Sequence, residues 1–218
     1  MKFSGRFTSG LVLLFIVQFS TFSVFAAAQL DIRIEPSNDA LKANIEGYVG
    51  SLGERDEEAL QRFSLGAEEQ AQKAAQALGY YQAQIDSTVK TGKDLRLVIN
   101  VVPGEPVHLR SVTVRIEGPA ASLKAFRVPK SDRLKTGAVL NHGYYEDAKR
   151  LIQNQASRYG FFSGHFSSQR LSIDPKAGVA DIELIYESGP RYVLGKVSFS
   201  GDAPFDDDLM QRMVPFKA

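Results

Sequence analysis

The chain has 218 residues, of which 44% are hydrophobic and 23% charged, and its formal net charge at pH 7 is +1. These fractions are typical of globular domains and exclude a disordered or fibrous protein. Basic and acidic residues alternate along the chain, which excludes the basic stripe of a nucleic-acid-binding protein. The absence of cysteine excludes disulfides, thiolate metal sites and a cysteine-linked lipid anchor.

Residues 1–28 have the three parts of a secretory signal peptide. Lys2 and Arg6 precede an apolar core at 11–19, and small residues at 26–28 offer a cleavage site. A retained membrane helix fits less well, because polar residues interrupt the apolar stretch before it reaches ~20 residues. We therefore predict export to the periplasm. Removal of Lys2 and Arg6 from the 26 basic residues leaves 24 against 25 acidic ones.

The mature chain begins with a predicted strand and two amphipathic helices. Residues 30–34 alternate between apolar and polar and are followed by Pro36, which predicts a half-buried strand. Apolar residues at steps of three and four then predict two helices, the second capped by Gly79 in the left-handed conformation. The two stripes are Leu41, Ile45, Tyr48, Val49 and Leu52, and Ala67, Ala71, Ala74, Ala75 and Leu78.

A β-hairpin is predicted after Gly79. Alternating residues at 81–89, a turn at 91–94 and a second apolar run at 95–101 have the pattern of two antiparallel strands. The predicted fold class is therefore α+β. Each unit has the order β-α-α-β-β, with two helices on one face of a three-stranded sheet.

The pattern repeats after about 81 to 85 residues, which is the period expected of tandem small domains. Leu78-Gly79-Tyr80-Tyr81 corresponds to Tyr159-Gly160-Phe161-Phe162, and Pro103-Gly104 corresponds to Ser188-Gly189. We predict a first domain at 29–104 and a second at 105–189.

The second copy is predicted to have the same elements. Val112, Val114 and Ile116 alternate as in a strand, and Leu123 and Phe126 are assigned to a short helix. A longer helix follows Asn141, with its apolar stripe at Tyr144, Ala148, Leu151, Ile152 and Tyr159. Gly160 ends it, and a hairpin is expected at 162–173 and 179–187.

A third copy is predicted to start at 192–199, whose pattern matches the strand that opens the second copy. Residues 190–218 are too few for a full copy, so we expect a truncated third domain. The alternative is a two-domain protein with a short tail.

The repeat resembles the POTRA domain, the polypeptide-transport-associated module of outer-membrane assembly factors. Segments 78–82, 137–141, 187–192 and 214–217 are together similar to the TamA family within the BamA/TamA superfamily. This resemblance implies a C-terminal outer-membrane barrel beyond Ala218 and a TamB-like inner-membrane-anchored partner. It also implies unfolded outer-membrane or autotransporter clients, and a place at the outer membrane of a Gram-negative bacterium with this region in the periplasm.

Such a fold leaves strand edges that can accept an extended peptide by strand addition. The resemblance places the first strand of each hairpin at an edge. The candidate peptide-binding residues are Tyr81, Ala83, Ile85 and Ser87 in the first domain, and Phe166, Leu171 and Ile173 in the second. The alternative is that Lys90, Gln169 and Arg170 blunt these edges, leaving them without function.

The glycine–aromatic motifs, Gly79-Tyr80 and Gly160-Phe161, are predicted to be structural. The following residues, Tyr81 and Phe162, are expected to pack under their own hairpins, with Tyr80 and Phe161 facing solvent or a neighbouring domain. The Gly-Pro segments at 103–106 and 188–190 are expected to set the angle between domains.

The sequence does not indicate catalysis, and we predict neither an enzyme nor a bound cofactor. His108, His142 and His165 lack metal-ligand spacing, and no Gly-x-Ser-x-Gly motif occurs. The favoured function is a periplasmic scaffold for insertion or secretion of autotransporter-type proteins. The alternatives are a POTRA pair of another assembly or two-partner secretion transporter, a soluble periplasmic adaptor, and an exported solute-binding protein or hydrolase.

Overall fold

The computed structural model describes residues 28–92, 94–128, 131–201 and 205–215. The predicted signal peptide lies outside the described residues, except for Ala28, as does part of the 214–217 motif. The first unit comprises β1 (Gln29–Ile34), α1 (Asp39–Val49), α2 (Glu57–Ala77), β2 (Gln84–Lys90) and β3 (Arg96–Val102). The second comprises β4 (His108–Glu117), a 3-10 turn at Pro119–Ser122, α3 (His142–Arg158), β5 (His165–Asp174) and β6 (Val179–Glu187).

Each unit contains a three-stranded sheet in which the last strand is central. The orders are β1-β3-β2 and β4-β6-β5, with the first strand parallel to the central one and the hairpin strand antiparallel. The predicted α+β class is confirmed. The first strand of each hairpin does lie at an edge, as the resemblance implied, and the other edge is formed by β1 or β4.

The core of the first unit lies between its sheet and both helices. Asn38 caps α1 by accepting a hydrogen bond from the Leu41 amide at 3.0 Å, and Asp56 caps α2. The aliphatic residues of α1 and the alanines of α2 are buried against β3, as the spacing predicts. Tyr48 differs, because it lies on the solvent side of α1 and is 44% exposed. The buried residues are Ile32, Leu41, Ile45, Val49, Leu52, Leu60, Ala67, Ala71, Ala74, Ala75, Leu97, Ile99 and Val101.

The second unit has only one α-helix among its described residues, so the prediction of two helices in each unit is wrong for this copy. A 3-10 turn at Pro119–Ser122 stands where the short helix was expected, and Leu123 and Phe126 follow it in irregular chain. Two apolar residues three apart give a helix too little surface to bury. Phe126 is buried against Phe161 instead.

The long helix α3 is capped by Asn141, as predicted, but its apolar stripe is rotated from the prediction. Tyr145 and Ala156 are buried together with Ala148 and Ile152, whereas Leu151 is 51% exposed. After β6, residues 192–199 form no strand with any described residue, so the strand predicted there is absent. A short helix, α4 (Asp207–Met213), follows. No described helix is both long and apolar enough to cross a membrane.

Candidate peptide-binding edges and the joint between the units

The predicted peptide-binding residues of the first unit fall into two groups. Ile85 and Ser87 lie on β2, at the edge of the first sheet. Tyr81 and Ala83 precede β2 and are not on the edge strand, so their assignment to it is wrong. The chain turns at Tyr81 because a helix cap immediately precedes it, and pairing with β3 starts only at Gln84.

The edge of β2 is partly closed by helix α2. Both the amide and the hydroxyl of Ser87 donate to the same carboxylate oxygen of Glu68, each at 2.8 Å. A backbone N–H on the outer side of an edge strand is the group that an added strand would use. At Ser87 that group is already occupied by a side chain of the same unit, and α2 packs alongside β2.

The edge of β5 differs from that of β2. The Ser188 amide donates to the Glu117 oxygen at 3.1 Å and the His108 amide to the Gly178 oxygen at 2.9 Å, so the even-numbered residues of β6 direct their backbone toward β4. Their partners on β5 must therefore direct N–H and C=O outward. These partners are Gln169, Leu171 and Ile173. No described side chain accepts a hydrogen bond from their amides.

The solvent face of the second sheet is covered with paired charges. Arg110 Nε lies 3.1 Å from Asp181, and this pairing, together with Ser111, lowers the pKa of Asp181 to about 2. A hydrogen bond from Ser168 lowers the pKa of Glu183, which also contacts Arg170 at 3.0 Å. The charged side chains described here already have partners. The groups available to an added strand are therefore the outward backbone N–H and C=O groups of β5.

The glycine–aromatic motifs end their helices in the same way. After α2, the Gly79 amide donates to Gln76 and the Tyr80 amide to Ala75, and Gly79 has φ +91°. After α3, the same pair of bonds joins Gly160 to Ser157 and Phe161 to Ala156. This is the Schellman motif, in which the residue after the glycine packs back against its own helix.

The packing of the aromatic residues reverses the prediction. Tyr80 packs on the first core, and its hydroxyl accepts a hydrogen bond from Asn38 at 2.8 Å. Phe161 is only 2% exposed in the second core. Tyr81 instead leaves its own unit and packs against the core of the second one, while Phe162 is 65% exposed. The second aromatic of each motif therefore faces away from its own hairpin.

Tyr81 belongs to a joint between the two units. Its hydroxyl lies 2.6 Å from His142 Nε2, and the Gly79 oxygen accepts a hydrogen bond from the Val107 amide at 2.9 Å. Gln82 donates to the Pro175 oxygen at 2.5 Å. A Cβ on Gly79 would lie 2.5 Å from the Leu140 oxygen, so the close approach of the chains requires glycine here.

Burial at this joint disfavours charge on both rings. Desolvation raises the pKa of Tyr81 and lowers the pKa of His142, the latter opposed by the nearby Glu146 carboxylate. With both groups neutral, the Tyr81 hydroxyl can donate a hydrogen bond to His142 Nε2. No local pattern in the sequence connects His142 with Tyr81.

The same contacts recur where the second unit meets residues 191–192. The Gly160 oxygen accepts a hydrogen bond from the Tyr192 amide at 2.7 Å, as Gly79 does from Val107. The rings of Phe162 and Tyr192 are 6.0 Å apart, and Arg191 donates to the Tyr159 oxygen at 2.9 Å. The repeated glycine–aromatic motif is thus both a helix cap and a contact with the next segment.

The described residues contain no group of three or more His, Asp or Glu side chains that could hold a metal ion. His108 and His165 open strands β4 and β5, respectively.

A comparison with protein-family models matches residues 31–103 to the family described as POTRA domain, TamA domain 1. The match covers β1 to β3 with both helices, about a third of the chain. The first unit is therefore similar to a POTRA domain. The second unit has the same strand order and pairing.

Solved structures with a similar chain path include POTRA domains 3–5 of BamA from Haemophilus influenzae. That structure is 15% identical over 88% of this chain and 78% of that chain, with a TM-score of 0.46. POTRA domains 1–3 of Omp85 from Anabaena are 12% identical over 73% and 59% of the two chains, with a TM-score of 0.34. CdiB from Escherichia coli is 15% identical over 79% and 29%, with a TM-score of 0.31.

Proposed function

We propose that this chain is the periplasmic part of an outer-membrane protein assembly or translocation factor of the TamA type. In this role it promotes insertion or secretion of autotransporter-type proteins together with a TamB-like inner-membrane-anchored partner. The observation that carries the proposal is the match of residues 31–103 to a polypeptide-transport-associated domain. The signal-like sequence at 1–28 and the near-neutral surface of the mature chain are consistent with it.

The proposed contact with clients is strand addition at β5. An extended segment would pair its backbone with the outward N–H and C=O groups of Gln169, Leu171 and Ile173. Main-chain pairing does not depend on client sequence, which suits a scaffold with several clients. Each hydrogen bond contributes about 0.5–1.5 kcal/mol net, and association itself is costly, so we expect weak and reversible binding.

The side chains of the predicted residues Phe166, Leu171 and Ile173 support the β5 edge from the core side and do not themselves form the proposed pairing with a client. All three pack partly on the second core, and the rings of Phe166 and Tyr186 are 5.0 Å apart at a steep angle. These side chains hold β5 against the core of the second unit. The backbone N–H and C=O groups of Leu171 and Ile173 are directed outward. In the first unit, Ile85 and Ser87 are less suitable because Glu68 occupies the edge amide.

The test uses two positions that correspond in register. Thr88 on β2 lies opposite Val98, and Arg170 on β5 lies opposite Glu183, and both side chains are exposed. A photo-cross-linking amino acid is placed at each position in cells that secrete an autotransporter. We expect client adducts at 170 and far fewer at 88.

Three outcomes separate the proposals. Equal adducts at 88 and 170, or none at 170, would show that β5 is not the client edge. Adducts with a two-partner secretion substrate would favour the alternative transporter. Co-purification with a TamB-like protein and with the outer membrane tests the assembly role itself, and its absence would favour a soluble periplasmic adaptor.

A further inference from the structure

The loop between the 3-10 turn and α3, whose described residues are 123–128 and 131–135, has an excess of positive charge. This basic loop carries Lys124, Arg127, Arg133 and Lys135 but only one described acidic residue, Asp132. Lys135 pairs with Asp132 at 3.0 Å, and the pair is exposed and therefore weak. The other three basic side chains form no ion pair with any described residue. The basic loop therefore presents cations that are available to an external partner.

Contacts with α3 and the core hold the basic loop in place. The Gln155 side chain accepts a hydrogen bond from the Arg127 amide and donates one to the Arg127 oxygen, each at 2.8 Å. Further along, Leu134 is buried in the second core, and the Arg133 guanidinium lies 5.2 Å from the centre of the Tyr144 ring. A loop that is fixed in this way loses little conformational entropy when a ligand binds to it.

A cavity of about 470 Å³ lies between the basic loop and strand β4. Its apolar lining comes from Val112 and Val114 on the strand and from Val128 and Leu134 in the loop. Lys135 also lines the cavity, and Arg127 immediately precedes Val128 in the chain. An apolar space with cations beside it is complementary to an apolar group that is accompanied by negative charge.

The first unit differs from the second at this place. Its linker between α1 and α2, residues 50–56, contains two acidic residues and one basic residue, and Leu52 within it is only 3% exposed. Ile32 on β1 is buried in the same core as the aliphatic residues of α1, whereas Val114, in the corresponding place on β4, is only half-buried. The combination of a cavity and a basic loop therefore belongs to the second unit.

The positions of the apolar side chains favour a peptide ligand over a membrane surface. A segment that binds to a bilayer inserts exposed apolar side chains into the interface. In the basic loop, Phe126 and Leu134 are buried and Val128 is half-buried, and the exposed side chains are the charged and small ones. The ligand must therefore bring its own apolar group into the protein.

We propose that the basic loop is a docking site for an acidic segment of a partner protein. One aliphatic side chain of that segment enters the cavity, and the carboxylates on either side of it contact Arg127 and Lys135. The inference goes beyond the proposed function, because it concerns a partner protein and does not use the backbone edge at which clients are proposed to add.

The experiment uses the mature chain and a fluorescently labelled peptide in which one leucine stands between two pairs of aspartates. Fluorescence anisotropy measures the dissociation constant, and backbone amide NMR spectra locate the bound peptide. We expect amide shifts at Val112, Val114 and Leu134, and an affinity that falls as added salt screens the charges. Two control peptides, one with serine in place of leucine and one with asparagine in place of each aspartate, should bind about fivefold more weakly or worse.

A pair of charge variants tests the contribution of the cations. Arg127→Glu combined with Lys135→Glu should weaken binding by about tenfold or more, because it replaces attraction with repulsion. Lys90→Glu combined with Lys196→Glu makes the same change in net charge at exposed positions outside the basic loop, and it should leave the affinity unchanged.

A second pair of variants tests the cavity. Ser131→Phe places a ring at the cavity from an exposed position and should weaken binding by about fivefold or more. Ser51→Phe, an exposed serine in the linker between α1 and α2 of the first unit, is the matched control and should have no effect.

Three results would overturn the inference. Peptide shifts confined to Gln169, Leu171 and Ile173 would show binding at the β5 edge and no docking at the basic loop. Binding to phosphatidylglycerol vesicles that the double charge variant abolishes, without a peptide response at Val112 and Val114, would assign the basic loop to an anionic membrane surface. No response to the peptide at about 1 mM, a concentration that would detect even a millimolar dissociation constant, would also exclude the site.

Discussion

The β2 and β5 edges occupy the same place in two copies of one fold, but among the described residues only the β2 edge has an outward amide, that of Ser87, bound by a side chain. In the first unit, α2 lies along β2 and its Glu68 carboxylate takes the Ser87 amide. In the second, the corresponding residue is Gln169, which is exposed and lies beyond the cover of α3. Repetition of a fold therefore does not repeat its binding surface, because a single helix position decides whether an edge amide has a partner.

The largest expected difference concerns the opposite edges, β1 and β4. Ile32→Ala should lower the free energy of unfolding of the first unit by about 3 kcal/mol, because it removes a fully packed side chain. Val114→Ala, at the corresponding register position, should cost about 1 kcal/mol, because that valine is only half-buried. Urea unfolding of both variants measures the difference. Equal losses would mean that the second unit covers β4 as fully as α1 covers β1.

Removing the carboxylate that closes β2 should make the two edges alike. Glu68→Ala deletes two hydrogen bonds to Ser87, and we expect a loss of about 1 kcal/mol because water can replace part of them. The Ser87 amide should then exchange faster, and client cross-links at position 88 should rise toward those at 170. Glu69→Ala, which removes only the exposed ion pair with Lys73, is the matched control. Unchanged exchange at Ser87 would contradict the assigned role of Glu68.

Strengthening α2 should protect the β2 edge further. Gly66 lies inside this helix, and a Cβ added there meets no atom within 4 Å, so Gly66→Ala should raise stability by about 0.5–1 kcal/mol. In α3, a Cβ on Gly143 would lie 3.0 Å from the capping Asn141 oxygen, so Gly143→Ala should give a smaller gain or none. Thermal unfolding of both variants measures the difference in stability. An equal gain would mean that the Asn141 side chain moves aside at no cost in free energy.

The smallest expected effect is a difference in the pH dependence of stability between the joint at Tyr81 and the joint at Tyr192. Burial lowers the folded-state pKa of His142 below that of the unfolded chain, so the unfolded state binds more protons as the pH falls below about 6.5. The stability contributed by the Tyr81 joint is therefore complete above that pH and decreases as pH falls toward the folded-state pKa. The joint at Tyr192 contains Ser163 in place of a histidine and should not change. Melting temperatures from pH 8 to pH 5, with His142→Gln as control, test this, and an unaltered slope in the variant would contradict it.

Much of the secondary structure could be predicted from local patterns. The alanine stripe of α2, the Asn141 cap and both glycine caps depend on neighbours within one or two helical turns, which the sequence displays directly. The helix predicted at Leu123 and Phe126, where the described residues are irregular, was the main failure in the fold. Leu123 and Phe126 have helical spacing, but too few apolar residues accompany them to form an amphipathic face.

The candidate site was less predictable, because its decisive contacts join residues far apart in sequence. Leu171 and Ile173 could be placed on an edge strand, but the pairing of Ser87 with Glu68 links two elements through a bond that no spacing rule describes. The same holds for Tyr81 and His142, which meet only because the two units pack together. The family resemblance was therefore sufficient to place these strands at edges, but the sequence did not tell which edge was already occupied.

The amino-acid sequence by itself determined the repeat, the order of strands and helices in the first unit, the helix caps and the absence of any thiol chemistry, since these follow from periodicity, backbone preference and composition. Only the tertiary structure decided which way each aromatic of the Gly79 and Gly160 motifs points. The Schellman cap turns the first aromatic back onto its own helix, which leaves Tyr81 and Phe162 to face the following segment. Side-chain direction after a cap depends on three-dimensional hydrogen bonding, which a one-dimensional pattern does not contain.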